Sequence, residues 1–261
     1  MNDTPERRPN AARLTGHVRV VGAGLLGASI GLALKAQGIE VSLSDASPAQ
    51  LRLAVDYGAG RPERDGDAPS IVVVSVPPDV TASVIEAELA RFPNAVVTDV
   101  ASVKLEPFRT LTARGVDLTR YIGSHPLAGR ERGGAISARA DLFLGRPWVI
   151  CRDEETPADA LALIEDLALD LGASPIEMTP EEHDRSVGLV SHVPQLVASL
   201  LAKQLVSAPD SAVRLDSDEN YSKPAGCHRT IPAALSTACL AGPTGRVGRA
   251  SGGRSPAAAG R

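Results

Sequence analysis

Aromatic residues are scarce in this chain: three Phe, three Tyr and one Trp among 261 residues. That leaves no set of rings on which successive nucleobases could stack. An excess of positive charge is absent too. Lys and Arg number 27 against 31 Asp and Glu, a net charge of −4, so nothing global attracts nucleic acid or an anionic membrane surface. No run of about 20 apolar residues occurs, so no membrane span is expected. The N-terminal stretch MNDTPERRPNAARLTG is polar and lacks the apolar core of a signal peptide. The three cysteines, Cys151, Cys227 and Cys239, outline no disulfide framework, which fits a cytoplasmic protein. Cys227, His228 and Cys239 lack a fourth ligand and finger-like spacing, so no metal is expected.

Glycine is present where it carries information. Residues 18–34, VRVVGAGLLGASIGLAL, read as a buried strand, a glycine turn and the start of a helix. Gly22, Gly24 and Gly27 make a G-x-G-x-x-G spacing. A dinucleotide pyrophosphate needs a tight turn at the first glycine and close backbone approach at the second. The third lets helix and strand pack closely, and the phosphates then rest on the helix N-terminus. Leu25 and Leu26 open that helix. Asp45 ends the next apolar run, roughly 20 residues beyond the second glycine, where an acid can take both ribose hydroxyls of NAD. Ser75, Val76 and Pro77 follow the apolar run IVVV and fall beside the same cleft. The other use of such a turn is purely structural.

Strand and helix patterns alternate from residue 17 onward, the mark of a parallel sheet covered on both faces. Strands are expected at 39–43, 71–76, 95–100, 121–126, 147–152 and 174–178. Ser47-Pro48-x-Gln50 reads as a capping box. Residues 60–69, GRPERDGDAP, read as a loop, and Asp79 as the cap of a helix running to residue 90. A second capping box, Thr179-Pro180-Glu181-Glu182, opens a long helix over 180–208 that Pro194 should kink. Beyond residue 213 the periodicity is lost. The expected architecture is α/β: a disordered leader (1–16), a Rossmann-type dinucleotide-binding domain (17–178), the start of a helical dimerisation or substrate domain (179–213) and a disordered, atypical tail (214–261).

The candidates for chemistry sit at strand ends. His125 follows Gly123-Ser124 and precedes Pro126. An imidazole there can take a proton near neutral pH as hydride leaves an alcohol or dienol; a core histidine with one satisfied nitrogen is the alternative. Ser102 can hydrogen-bond the reacting hydroxyl or the imidazole, or serve as a helix N-cap. Lys104 reads as solvated, though it could face a phosphate or carboxylate. Glu131 lies in a glycine-rich loop beside His125 and can gate a pocket or remain a surface charge. His192 can enter the cleft from the following segment. His183, in the first turns of that helix, reads as structural.

Four segments together carry a resemblance: GAGLLGASIGLAL, TDVASVK, GSHPLAGRERGG and EEHDRSVGLVSHVPQLVASL. The chain resembles the prephenate/arogenate dehydrogenase family of tyrosine biosynthesis over residues 18–213. The resemblance implies a small-molecule substrate, NAD as cofactor, a homodimer formed through the helical domain, and oxidative decarboxylation of prephenate to 4-hydroxyphenylpyruvate. Residue by residue, it implies that His125 accepts a hydrogen bond from the ring hydroxyl and that Ser102 supports that contact. It places His192 on the substrate side and makes Glu131 a gate. The family also continues into helices carrying an arginine for a substrate carboxylate. Nothing similar follows residue 213, and Gln195 stands where a second histidine is usual. A truncated gene or a shifted frame would leave such an incomplete helical domain. The alternatives to a prephenate dehydrogenase are an arogenate dehydrogenase, an impaired NAD-binding remnant, or a β-hydroxyacid or imino-acid reductase on the same fold.

Overall fold

The structure, a computed structural model, describes residues 12–130, 132–152, 156–192 and 196–200; the side chains of Ser191 and His192 are outside that description. The unit spanning Met1–Val193 is built on one sheet. In the unit spanning Pro194–Arg261, residues 196–200 are helical.

Eight strands form the sheet: β1 (His17–Val21), β2 (Glu40–Ser44), β3 (Arg61–Pro62), β4 (Ile71–Val74), β5 (Val96–Asp99), β6 (Tyr121–Pro126), β7 (Pro147–Cys151) and β8 (Ser174–Met178). Their order is β3-β2-β1-β4-β5-β6-β7-β8. β1 to β6 are parallel, β7 runs antiparallel to β6, and β8 is parallel to β7. The order reverses at β1, whose neighbours β2 and β4 leave on opposite sides. That crevice is the switch point where an open α/β sheet binds ligands at its carboxyl edge.

The central strands are apolar at nearly every position because both faces are covered. Alternate residues sort onto the two faces. Val18, Val20, Ile71 and Val73 join one cluster with Ile30 and Leu34 of helix α1 (Leu25–Ala36) and Ile164 and Leu167 of helix α5 (Ala158–Asp170). Val21, Val72, Val74 and Val97 join the other. Its helical members are Ile85 and Leu89 of helix α3 (Pro78–Arg91) and Leu111 of helix α4 (Leu105–Ala113). Helix α2 (Pro48–Asp56) covers the β2 edge.

Several local expectations change. Residues 61–62 of the expected loop form β3, where Arg61 pairs with Glu40 and Asp67. Two residues are too few to show periodicity. In α2 the Ser47 hydroxyl accepts from the Gln50 N–H at 3.4 Å. Helix α3 has Pro77, not Asp79, at its N-cap, with Asp79 inside the first turn. The Thr179–Glu182 capping box is present and starts helix α6 (Pro180–Val187). Within the expected 180–208 helix, the α-helix passes into π geometry over Gly188–His192; residues 196–200 are helical, and 193–195 and 201–208 lie outside the described residues. The expected kink at Pro194 lies outside the described residues, as do the tail 214–261 and its cysteines. Of the expected leader, residues 1–11 are likewise outside. Residues 12–16 are held by the fold instead: Leu14 is buried, and the N–H groups of Arg13 and Leu14 donate to Asp170.

Candidate functional site

The glycine turn follows β1 at the switch point. Gly22 has φ +98°, and a Cβ there would lie 2.1 Å from the Ser75 carbonyl oxygen. A Cβ at Gly27 would lie 1.9 Å from the Gly22 carbonyl oxygen, so only glycine allows α1 to approach β1 this closely. A Cβ at Gly24 would meet nothing within 4 Å. Gly24 is the N-cap of α1 and supplies no side-chain cap, which leaves the first N–H groups of the helix for an anion. The three positions therefore divide as a pyrophosphate cradle requires: two closed against backbone and one open. Leu25 and Leu26 begin the helix, half-buried.

Asp45 braces this turn. Its Oδ2 accepts from the Ala23 N–H at 2.7 Å and its Oδ1 from the Ser47 N–H at 2.7 Å. A carboxylate fixed by backbone on both oxygens stands at the end of β2, beside the crevice. Across the crevice the Ser75 N–H donates to Val21 O at 2.7 Å. Half-buried Ser75 and Val76 and exposed Pro77 then lead from β4 into α3. The residues present fit a dinucleotide.

His125 stands on β6 past the last β5–β6 partners, Asp99 and Gly123. It is half-buried at the carboxyl edge of the parallel strands. Ser102, also half-buried, leaves the adjacent strand β5 on the same edge. Three strand spacings separate β6 from β1, about 14 Å at ordinary sheet geometry. Beneath His125 the sheet is tightly fixed. The Ser124 hydroxyl donates to Asp99 O at 2.8 Å, and Thr98 Oγ1 donates to Ser124 Oγ at 3.0 Å.

Two residues that sequence reasoning placed elsewhere belong to this neighbourhood. Lys104 is buried, not solvated, at 1% exposure. Its ammonium donates to the Asp99 carboxylate and to the Ser124 carbonyl, the latter at 2.8 Å. Asp99 also accepts from the Tyr121 hydroxyl and the Ala101 N–H. Burial and the neighbouring Asp99 carboxylate push the Tyr121 phenol well above its ordinary value. His183 is fully buried, and its Nε2 lies 2.9 Å from His125 Nδ1. The rings meet edge to face, 5.1 Å between centroids. His183 Nδ1 lies 2.7 Å from Asp184 Oδ1. That carboxylate also accepts the N–H groups of Lys104 and Leu105 at 2.9 and 3.0 Å, so Asp184 rather than Ser102 caps helix α4. Burial holds His183 below its ordinary value of 6.5. For Asp184, burial acts upward, but the bonds from His183 and the two backbone groups outweigh it and hold the carboxyl low.

Glu131 lies outside the described residues. His192 is placed only by its backbone, at the end of the π turn. A cavity of about 480 Å³ opens among α4, β6, β7 and α6, lined in part by Lys104, Phe108, Tyr121, Cys151 and Arg152. It includes neither His125 nor the glycine turn. Burial pushes the Cys151 thiol there up to about 12, so it is an inert sulfhydryl.

Two family models match the chain. One is described as prephenate dehydrogenase, nucleotide-binding domain, and matches residues 30–177; the other, prephenate dehydrogenase, dimerization domain, matches residues 179–224. A probable prephenate dehydrogenase of Streptomyces niveus is 41% identical over 196 residues, which cover 75% of this chain and 54% of that protein. A crystal structure of prephenate dehydrogenase from Aquifex aeolicus in complex with hydroxyphenyl propionate and NAD+ superimposes with a TM-score of 0.67 at 25% identity. The match covers 87% of this chain and 82% of that one. Synechocystis arogenate dehydrogenase gives a TM-score of 0.64 at 25% identity, over 88% of this chain and 80% of that one. The chain spans about half the length of the curated relatives it matches.

Proposed function

Because the chain belongs to the prephenate dehydrogenase family, we propose that it carries out the NAD-dependent oxidative decarboxylation of prephenate to 4-hydroxyphenylpyruvate. The observation that supports this most directly is the placement of His125. An imidazole stands at the carboxyl edge of the sheet, on the same edge as a glycine turn shaped for a dinucleotide. NAD, when bound, supplies the hydride acceptor.

The residues then divide the work. Gly22, Gly24 and Gly27 with the N-terminus of α1 hold the pyrophosphate; Leu25, Leu26, Ser75, Val76 and Pro77 line the path of the cofactor. Asp45 takes the adenosine ribose hydroxyls. His125 accepts the proton of the ring hydroxyl while hydride leaves the same carbon. The ring carboxylate departs as carbon dioxide, and its bonding electrons complete the aromatic ring. Ser102 supports the hydroxyl–imidazole contact; the family resemblance gives His192 a substrate-side role and Glu131 a gating role, and Glu131 and the His192 side chain lie outside the described residues. Aromatisation supplies the driving force, so the protein's task is orientation and proton acceptance.

Arogenate differs from prephenate by an amino group in place of the side-chain keto group. It is the alternative substrate, favoured by the likeness to the Synechocystis enzyme. The match to a dimerization domain supports a homodimer. Among the described residues no helix is long and apolar enough to cross a membrane.

The test is steady-state NADH formation with prephenate and with arogenate, for the native chain and for His125→Asn. Loss of the proton acceptor should lower kcat by about 10²- to 10⁴-fold and leave NAD affinity nearly intact. An unaffected rate would remove His125 from the mechanism. NAD binding without turnover of either substrate by the native chain would identify an impaired remnant.

A further inference from the structure

We propose that His183 is a positioning residue for this chemistry: it holds His125 in the tautomer that keeps its proton on Nδ1 and its lone pair on Nε2. The inference rests on the reading of His125 as proton acceptor and goes beyond it, because it says which nitrogen accepts and what decides that.

Two groups at the start of α4 cannot change roles. The backbone N–H groups of Lys104 and Leu105 can only donate, and both donate to Asp184. Asp184 is held in its ionised form, so the carboxylate has only acceptors to offer. His183 Nδ1, 2.7 Å from Oδ1, must therefore carry a proton. His183 is fully buried, and burial favours its neutral form. A neutral ring protonated on Nδ1 has its lone pair on Nε2. That lone pair points at His125 Nδ1 across 2.9 Å. Two lone pairs at that separation would repel, so His125 Nδ1 donates. A neutral His125 is left with its lone pair on Nε2.

The order of donors is thus written into the start of α4 and read through two rings. Helix α4 directs Asp184, Asp184 directs His183, and His183 directs His125. When His125 takes a proton on Nε2, its Nδ1–H bond to His183 becomes charge-assisted and stronger. The relay therefore favours the protonated ring over the neutral one, which is the differential stabilisation a base requires. This is the logic by which a carboxylate orients the histidine of a serine protease, here with a second imidazole between them.

The experiment is nitrogen NMR of the full chain labelled at histidine, read together with kinetics. In the native protein His125 should show a protonated Nδ1 and an unprotonated Nε2; the opposite assignment overturns the proposal with no variant needed. His183→Leu removes the acceptor. It should produce mixed tautomers at His125 and lower kcat about 100-fold, the low end of a general-base contribution, with KM and NAD affinity changed no more than about threefold. His183→Gln must turn its amide NH₂ to Asp184 and its carbonyl to His125, so it keeps the donor order without being able to hold a proton. It should restore the native tautomer and most of the turnover lost in the leucine variant. Rescue of neither would show that the second ring carries a proton or serves only packing, and the proposal fails. The NMR readout does not depend on turnover, so a chain with the expected tautomer but no effect of His125→Asn would sink the functional reading alone.

Discussion

Lys104→Met tests the buried pair beneath the site. Lys104 is 1% exposed and its partner Asp99 is fully buried. The substitution keeps the aliphatic volume and removes the ammonium. Asp99 would retain two donors, the Tyr121 hydroxyl at 2.7 Å and the Ala101 N–H at 2.8 Å, but no cation. The Ser124 carbonyl would lose its 2.8 Å donor. Breaking one side of a buried ion pair costs about 3–5 kcal/mol. The two surviving hydrogen bonds place this case near the lower end, about 3 kcal/mol. At about 2–4 °C per kcal/mol for a domain of this size, Tm should fall by roughly 6–12 °C. The only tryptophan, Trp148, is buried in the sheet and reports unfolding by fluorescence in a urea titration. The second arm adds Asp99→Asn. Removing the stranded charge should return about 1 kcal/mol or more, since Tyr121 can reverse its hydroxyl to accept from the new amide. A loss below about 1 kcal/mol for Lys104→Met, or a double variant no more stable than the single one, would refute the claim that this lysine compensates a buried charge. Because Ser124 precedes His125, kcat should fall along with stability.

The glycine turn yields a contrast. Gly27→Ala drives a methyl to 1.9 Å from the Gly22 carbonyl oxygen and should destabilise by about 1–3 kcal/mol, whereas Gly24→Ala has open space and should cost under about 1 kcal/mol yet weaken NAD binding by calorimetry; equal effects on stability would contradict the assignment of closed and open positions. Asp45→Ala should weaken NAD and relax discrimination against NADP, and an unchanged preference would mean that the ribose is held elsewhere. Stability should also depend on pH through His183. Its folded-state pKa lies below the ordinary 6.5, so the unfolded chain takes up a proton that the folded one resists. The stabilisation is complete above about pH 6.5 and declines as pH falls below it. Urea midpoints measured from about pH 8 to about pH 5.5 should drop in the native chain and drop less in His183→Gln; parallel profiles would exclude His183 as the group responsible.

Much of this frame is legible in the residues. The central strands announce themselves as apolar runs bounded by glycine, proline and polar clusters, and the turn at Gly22 lies where strand meets helix. Asp45 falls at the right remove because β2 is the next strand in the chain and in the sheet. The site's inner layer was not legible, for a common reason. Lys104 reads as solvated because lysine is rarely buried, and the carboxylate that changes this becomes its neighbour only when β5 turns into α4. A cap at Ser102 is the local alternative to its role in the chemistry; the acceptor that caps α4 is Asp184, 80 residues away. His183 reads as structural because its capping box explains its surroundings, while its partner His125 is 58 residues distant. One signal was available. His183 and Val187 are four apart and form the buried stripe of α6, so a histidine occupies one of the two positions that a short polar helix turns to the interior.

The position of α6 also bears on where the folding unit ends. The nucleotide-binding match stops at residue 177 and the dimerization match starts at 179, so His125 falls in one and His183 with Asp184 in the other. The contacts do not respect that division: the compact unit that holds the sheet extends to Val193. Cutting at the family boundary would leave His125 Nδ1 and the N–H groups of Lys104 and Leu105 without their acceptors. Each such loss costs about 1–3 kcal/mol where water cannot replace the partner, comparable in total with the stability of a small domain. The first helix of the second segment is therefore part of the first fold in energetic terms. It brings His183 Nε2 within 2.9 Å of His125 Nδ1, which ties the proposed proton acceptor to the segment expected to form the dimer.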